Sequence, residues 1–73
     1  MSIQKLERVL WRLRKMSDNP KYPKFIDLRR AIMYECGTHP ATYITNKRAL
    51  TTLGWIEKYT KARLKLTDKD LQS

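Results

Sequence analysis

The stretch LGWIEKYTKARLKLTDKD, residues 53–70, carries the signals that decide the fold of this 73-residue chain. Gly54 follows what reads as a helix, and glycine commonly ends helices because it adopts the left-handed conformation at little cost. Two segments rich in strand-forming residues come next, at residues 55–59 and 62–66. The stretch therefore predicts the end of a helix followed by a β-hairpin over about residues 55–66.

Cross-strand pairing predicts the register of this hairpin. A two-residue loop would need a glycine or asparagine, which the tip lacks. A loop of odd length instead pairs Ile56 with Leu64, or with Leu66 if the loop is centred one residue later, and either register sets Glu57 opposite a basic residue. Both registers turn the aliphatic residues toward the core. They leave four charged or aromatic residues at or near the tip: Lys58, Tyr59, Lys61 and Arg63.

Two helices separated by a short turn precede the hairpin. Asp27 reads as the N-cap of a helix over about residues 28–36, and Gly37 is placed to end it. Pro40 suits the first turn of the next helix, about residues 40–53, because proline lacks an N–H that would be unpaired there. In that helix Tyr43, Leu50 and Leu53 line one side. Two helices joined by a turn of three or four residues follow the helix-turn-helix plan.

The N-terminal part predicts one more helix, over about residues 2–16, with Ser2 as its N-cap. Six apolar residues share one face at helical spacing: Ile3, Leu6, Val9, Leu10, Leu13 and Met16. Trp11 lies off this stripe, so either another part of the chain covers its indole or Trp11 is a contact between two copies. Residues 17–24, SDNPKYPK, contain two prolines and are expected to form an irregular linker.

The charge of the chain indicates its partner. Lysine and arginine total 16 against 7 acidic residues, a net charge of +9, so the expected partner is a polyanion, with nucleic acid first and an anionic membrane surface second. Residues 1–73 make one small domain with too little bulk for a sizeable substrate pocket. Two glycines cannot build a phosphate-binding glycine-rich motif. We therefore expect no enzyme, no cofactor and no small-molecule ligand.

Membrane and metal signals are weak. No apolar run approaches the roughly 20 residues that span a bilayer, and the charged N-terminus lacks the apolar region of a signal peptide. We expect no membrane partner. We expect a cytoplasmic protein associated with the nucleoid or, if the protein is viral, one located in the host cytoplasm. Cys36 and His39 have C-x-x-H spacing, but a structural zinc site needs four ligands. We expect Cys36 to be a small buried thiol and His39 to be a turn or cap residue, and we expect no metal site.

The order helix, helix, turn, helix, hairpin resembles the winged helix-turn-helix family of DNA-binding proteins. The likeness is carried by Leu50 with LGWI at 53–56, similar to the family's L-x-x-L-G-φ-I, where φ is apolar. It is also carried by RLKLTDK at 63–69, which looks like the family's Y-x-L-T-x-x-G. The chain departs from the family at two places. Thr38 stands in the turn where the family usually has an aliphatic residue, and Asn46 and Lys47 stand where it usually has an apolar core residue. The resemblance covers roughly residues 25–69 and implies an α+β fold of three helices followed by a C-terminal wing.

The resemblance also implies a function, binding of double-stranded DNA by a transcriptional regulator, as in small stand-alone proteins of archaea, viruses and plasmids. The third helix would enter the major groove and the wing would lie on the backbone or in the minor groove. Base contacts are then expected from Arg48, Thr45, Thr52 and Thr42. Phosphate and wing contacts are expected from Lys47, Arg29, Arg30, His39, Lys58, Tyr59, Lys61 and Arg63. Trp11 would fit a homodimer. The alternatives are a winged-helix module for protein–protein contact and a non-specific binder of RNA or single strands.

Overall fold

Three α-helices followed by a two-stranded antiparallel hairpin make up the computed structural model, which describes residues 3–71. The predicted α+β class and element order are confirmed. Ser2, the predicted N-cap of the first helix, lies outside the described residues. In chain order the elements are α1 (Ile3–Met16), α2 (Phe25–Cys36), α3 (Pro40–Thr52), β1 (Ile56–Lys58), β2 (Leu64–Leu66) and a short 3₁₀ helix (Lys69–Leu71).

One apolar core joins all three helices to the hairpin. Its buried residues are Leu6, Val9, Leu10, Leu13, Leu28, Ala31, Ile32, Leu50, Trp55, Ile56, Leu64 and Leu66. Four of the six apolar residues predicted to share one face of α1 are buried: Leu6, Val9, Leu10 and Leu13. Ile3 and Met16, at the two ends of α1, are exposed instead, since fewer neighbours reach the ends of a helix. Leu53, also expected inside, is exposed because it caps α3 where the chain turns toward the hairpin.

The end of α3 is set by a pair of backbone hydrogen bonds. The N–H of Gly54 donates to the carbonyl of Thr51 and the N–H of Trp55 donates to the carbonyl of Leu50, both at 3.0 Å. These two bonds form a Schellman motif, which needs a residue with positive φ at its centre. Gly54 supplies it with φ of 73°. The predicted glycine stop is confirmed, and the turn delivers Trp55 directly into the core beside Leu50.

The hairpin adopts the second of the two predicted registers, the one with its loop centred one residue later. Ile56 pairs with Leu66 and Glu57 pairs with Lys65. The tip turns tightly without a glycine because the carbonyl of Arg63 accepts hydrogen bonds from two N–H groups, those of Tyr59 and Thr60. This register leaves Ile56, Leu64 and Leu66 buried, as expected, and Lys58, Tyr59 and Lys61 exposed, while Arg63 is half-buried.

The linker at residues 17–24 is irregular, as predicted, but it is bonded to the hairpin. It runs antiparallel along β2, where the N–H of Leu66 donates to the carbonyl of Lys21 (3.1 Å) and that of Leu64 donates to the carbonyl of Pro23 (2.9 Å). Pro23 has no N–H to return, so the pairing is one-sided. Its ring is fully buried. The linker therefore acts as a third extended segment on the outer edge of β2.

The hairpin also sets the start of α2. The predicted N-cap, Asp27, is wrong, because α2 begins at Phe25 and Lys24 occupies the cap position without a side-chain hydrogen bond. The N–H of Phe25 is satisfied by the carbonyl of Ala62 in the hairpin, at 2.9 Å, so no capping side chain is needed. Asp27 lies in the first turn, where a negative charge favours the positive end of the helix dipole.

A partly buried ion pair ties the C-terminal 3₁₀ helix to α1. The guanidinium of Arg14 donates to both carboxylate oxygens of Asp70, at 2.8 and 2.9 Å, and the side chain of Asp70 is 2% exposed. Arg14 also donates to Asp68 at 3.0 Å, but the side chain of Asp68 is 59% exposed. The hydrogen bond to Asp70 is the main reason that the pKa of Arg14 is raised. Asp70 is placed for this contact by the 3₁₀ helix Lys69–Leu71.

Removing the buried carboxylate should destabilise the fold more than removing the exposed one. We expect Asp70→Ala to lower the free energy of unfolding by about 2–4 kcal/mol, because it leaves the half-buried Arg14 without its bidentate partner. The matched variant Asp68→Ala should cost less than about 1 kcal/mol, because an exposed pair is screened by water. Urea unfolding measures both values. Equal losses would contradict a special role for Asp70.

Candidate nucleic-acid interface

Three residues set where α2 ends and α3 begins. Gly37 ends α2 with φ of 119° and ψ of 170°, a backbone conformation that is essentially restricted to glycine. His39 is the N-cap of α3, and its Nδ1 accepts the N–H of Ala41 at 3.2 Å. Pro40 occupies the first turn, as predicted. The cap role expected of His39 is therefore confirmed, while contact of its exposed ring with phosphate stays a prediction.

A buried amide packs the inner side of α3 against α2. Asn46 is 2% exposed, although its side chain is polar. Its Nδ2 donates to the carbonyl of Thr42 at 2.7 Å and its Oδ1 accepts from the Sγ of Cys36 at 3.5 Å. Burial raises the pKa of the Cys36 thiol, which keeps it protonated as the donor. Because both ends of the amide are bonded, a polar residue is tolerated where an apolar one is usual.

The outer side of α3 is an exposed, acid-free surface. No residue of the helix is acidic. Five side chains share this surface, which we call the outer face: Ala41, Ile44, Thr45, Arg48 and Thr52. Three of the four predicted base-contact residues, Thr45, Arg48 and Thr52, are thus brought together. The fourth, Thr42, is half-buried on the flank of the helix. Ile44, 55% exposed, was not singled out by the sequence.

Two cations flank the outer face by lying against aromatic rings. The Nζ of Lys47 lies 4.8 Å from the ring centre of Phe25 and 5.9 Å from that of Tyr43, and the guanidinium of Arg29 lies 5.9 Å from Tyr43. The ammonium group of Lys47 thus lies over the face of the Phe25 ring, a favourable cation–π contact that accommodates a lysine at this position. Arg30 is separate, beside a groove lined by Met16, Met33, Tyr34 and Thr38.

The hairpin tip carries exposed cations and one cation that is engaged within the chain. Lys58, Tyr59 and Lys61 are exposed. Arg63 instead donates to the carbonyl of Tyr22 at 2.8 Å and to both carboxylate oxygens of Asp18, at 3.3 and 3.2 Å. That pair lowers the pKa of Asp18, so the pairing is intact at neutral pH and is lost as the pH falls through the lowered value. The structure makes Arg63 a positioning residue for the hairpin, and its contact with phosphate stays a prediction.

The linker adds two residues to this end of the molecule that the sequence did not point to. The rings of Tyr22 and Tyr59 stack with centroids 4.3 Å apart and planes tilted by 31°. The Nζ of Lys21 lies 5.9 Å from the centre of the Tyr22 ring. An irregular, proline-containing segment carries no periodicity that could reveal such a contact. Only the pairing of the linker with β2 brings Tyr22 to the hairpin tip.

Charge is distributed unevenly between the two sides of the molecule. The ion pairs found within residues 3–71 join Arg12 to Glu35, Arg14 to Asp68 and Asp70, and Arg63 to Asp18. None of those pairs includes a residue of α3 or the tip lysines. Within the described residues, these pairs engage acidic side chains with arginines of α1 and with Arg63, while the charges beside the outer face and at the tip remain available to a polyanion.

Trp11 lies on the other side of the molecule, on α1. Its side chain is 57% exposed, so the expectation that another part of the chain covers the indole is wrong for the described residues. The Nζ of Lys15 lies 3.9 Å from the centre of the Trp11 ring. Trp11 and Leu71 both line an open groove at this surface. Contact between two copies stays the explanation that the sequence offered.

The described part of the chain offers neither a membrane span nor a cluster of metal ligands. Between residues 3 and 71, no helix is both long and apolar enough to cross a membrane. Over the same span, no group of three or more histidine, cysteine, aspartate or glutamate side chains could hold a metal ion.

Removing the Arg63 pair should loosen the hairpin from the linker. We expect both Arg63→Ala and Asp18→Ala to speed amide hydrogen exchange at Leu64 and Leu66 about two- to fivefold, as loss of an exposed ion pair would. Arg63→Ala should have the larger effect because it also loses the bond to Tyr22. Lys61→Ala is the control with the same charge change as Arg63→Ala and should leave both amides unchanged. Equal exchange rates at Leu64 and Leu66 in all three variants would contradict the role of Arg63 in positioning the hairpin.

Comparison with known proteins adds no relative. No protein-family profile matches the chain, and neither the curated proteins nor the solved structures give a significant match. The chemistry on which a function can be proposed is therefore that of α3, its flanking cations and the hairpin tip.

Proposed function

We propose that this protein binds double-stranded DNA as a winged helix-turn-helix protein and acts as a transcriptional regulator. The observation that carries the proposal is the outer face of α3, an exposed and acid-free surface with Arg48 among threonines, on the second helix of a helix-turn-helix. An α-helix with its side chains is about 10–12 Å across, which fits the roughly 12 Å width of the major groove. The hairpin after α3, anchored in the core, supports the winged arrangement.

Base recognition would come from the middle of the outer face. Arg48 can donate two parallel hydrogen bonds to N7 and O6 of guanine, the commonest specific contact in the major groove. Thr45 and Thr52 lie one turn before and one turn after it and carry both a hydroxyl and a methyl group. Thr42 sits at the flank of the helix, where a phosphate is nearer than a base edge. This arrangement favours sequence-dependent binding over purely electrostatic attachment.

Phosphate contacts would fix the protein on the duplex. Lys47 and Arg29 flank the outer face on one side, and the exposed ring of His39 lies at the start of α3. Arg30, on the neighbouring side of α2, would reach a more distant phosphate. At the wing, Lys58 and Lys61 would contact the backbone or the minor groove, with Tyr59 packed against the sugar. These contacts carry no sequence information by themselves.

A second function has one observation in its favour. The stacked pair of exposed Tyr59 and half-buried Tyr22, with Lys21 beside it, is an aromatic and basic surface of the kind that stacks on unpaired bases. Non-specific binding of RNA or single-stranded DNA would use this surface instead of α3. A third function, that of a protein–protein module, would use the outer face itself, and the lack of acidic residues there argues for a polyanion instead.

A salt titration tests the proposal. With duplex DNA, single-stranded DNA and RNA of equal length, we expect duplex preference and an affinity that falls steeply as salt rises, because bound cations release counterions from the DNA. Lys61→Ala should weaken binding about equally on all duplexes and reduce the salt slope by about one, while Arg48→Ala should relax sequence preference. Binding that prefers single strands, or no salt-dependent binding to duplex, would refute the proposal. Identical behaviour of the two variants would refute the placement of α3.

We also propose that two copies associate through Trp11, which suits an operator with two-fold symmetry. Trp11→Ala should then shift the mass measured by light scattering from dimer toward monomer. Ile3→Ala, at another exposed apolar residue of α1, serves as a control for general loss of apolar surface. A monomeric mass for both the wild type and Trp11→Ala would end the dimer proposal without affecting DNA binding by a monomer.

A further inference from the structure

An exposed isoleucine lies at one edge of the outer face of α3. Ile44 is 55% exposed, although exposing a large aliphatic side chain to water is unfavourable. It lies one turn before Arg48, and Ala41 lies one turn before it. The shallow groove beside it is lined by Tyr43, Ile44, Lys47, Arg48, Thr51 and Thr52. The outer face thus combines one arginine with a mostly methyl-bearing surface.

The surroundings of Ile44 identify what could cover it. An apolar protein surface is poorly matched, since Arg48 and Lys47 border the groove and α3 has no acidic residue. Duplex DNA matches both properties, because its phosphates are negative and its major groove offers one exposed apolar group, the 5-methyl of thymine. The hydroxyl of Thr51 in the same groove is bonded to the carbonyl of Lys47 at 2.9 Å, so it is already occupied within the helix.

We propose that Ile44 recognises the 5-methyl group of a thymine and is a specificity-determining residue of this protein. The inference rests on the proposed binding of duplex DNA and adds the class of base that is read. Ile44 and Arg48 are four residues apart, about 6 Å along the helix axis. Base pairs rise about 3.4 Å each. The thymine therefore lies within about two base pairs of the guanine that Arg48 contacts.

Replacing thymine by deoxyuridine tests this contact directly, because it removes only the methyl group and leaves base pairing unchanged. A preferred duplex is first selected from a random library with the full-length wild-type chain. Each thymine is then replaced in turn. We expect one replacement, within about two base pairs of the guanine that Arg48 contacts, to weaken wild-type binding about three- to fivefold. That is the effect of burying one methyl group. The same replacement should change the affinity of Ile44→Ala less than twofold.

Two further variants assign the effect to a single side chain. Ile44→Val keeps a branched side chain and should retain part of the discrimination between thymine and deoxyuridine. Thr45→Ser removes the neighbouring methyl but keeps the hydroxyl, and it should leave the discrimination intact. Ile44→Ala should fold as the wild type does, because the side chain is exposed and alanine favours helices, and circular dichroism checks this.

The different failures can be told apart. Duplex binding that is indifferent to deoxyuridine at every position would overturn the role of Ile44 and leave the proposed function standing. Discrimination that survives in Ile44→Ala and disappears in Thr45→Ser would transfer the contact to Thr45 and overturn the inference. Absence of salt-dependent duplex binding would overturn both proposals together.

Discussion

Strand β2 is hydrogen-bonded on both of its edges, and the rest of the structure depends on that arrangement. On one edge it pairs with β1, and on the other the N–H groups of Leu64 and Leu66 bond to carbonyls of the linker. The linker leaves α1 and enters α2, whose first N–H is itself bonded to Ala62. Strand β2 thus joins the hairpin to the linker, and Ala62, two residues before it, fixes the start of α2. Leu64 and Leu66 extend from the strand into the core.

Opposite charges are used in different ways on the two sides of the molecule. Near α1 and the linker, acidic residues bond to arginines and stabilise the fold, most clearly in the buried contact of Arg14 with Asp70. At α3 the basic residues lie against aromatic rings or in solvent, with no acid in the helix. The basic residues of α3 and the tip lysines are therefore outside the ion pairs found within residues 3–71, and they favour contact with a polyanion.

Helix α3 is only weakly amphipathic, and it is held by its ends and by one buried amide. Its start is set by His39 and Pro40, and its end by the turn at Gly54. In between, only Leu50 and Asn46 are buried. Because so few positions are needed for packing, the outer face can carry residues chosen for contact with a ligand. A strongly apolar inner stripe would have anchored the helix more firmly and left fewer of its positions free for that purpose.

Local signals in the sequence determined much of this fold. The glycines at 37 and 54, the proline at 40 and the apolar spacing of α1 act through backbone geometry and side-chain periodicity within a few residues, so the helix order, the hairpin and the exposure of Thr45, Arg48 and Thr52 were predictable. Only the tertiary structure decided which odd-length register the hairpin adopts, that the linker bonds to β2, that α2 starts at Phe25 and that Arg63 is engaged with Asp18. Each of those outcomes depends on a hydrogen bond or ion pair between segments distant in sequence, and such partners leave no periodic or local signal in the chain.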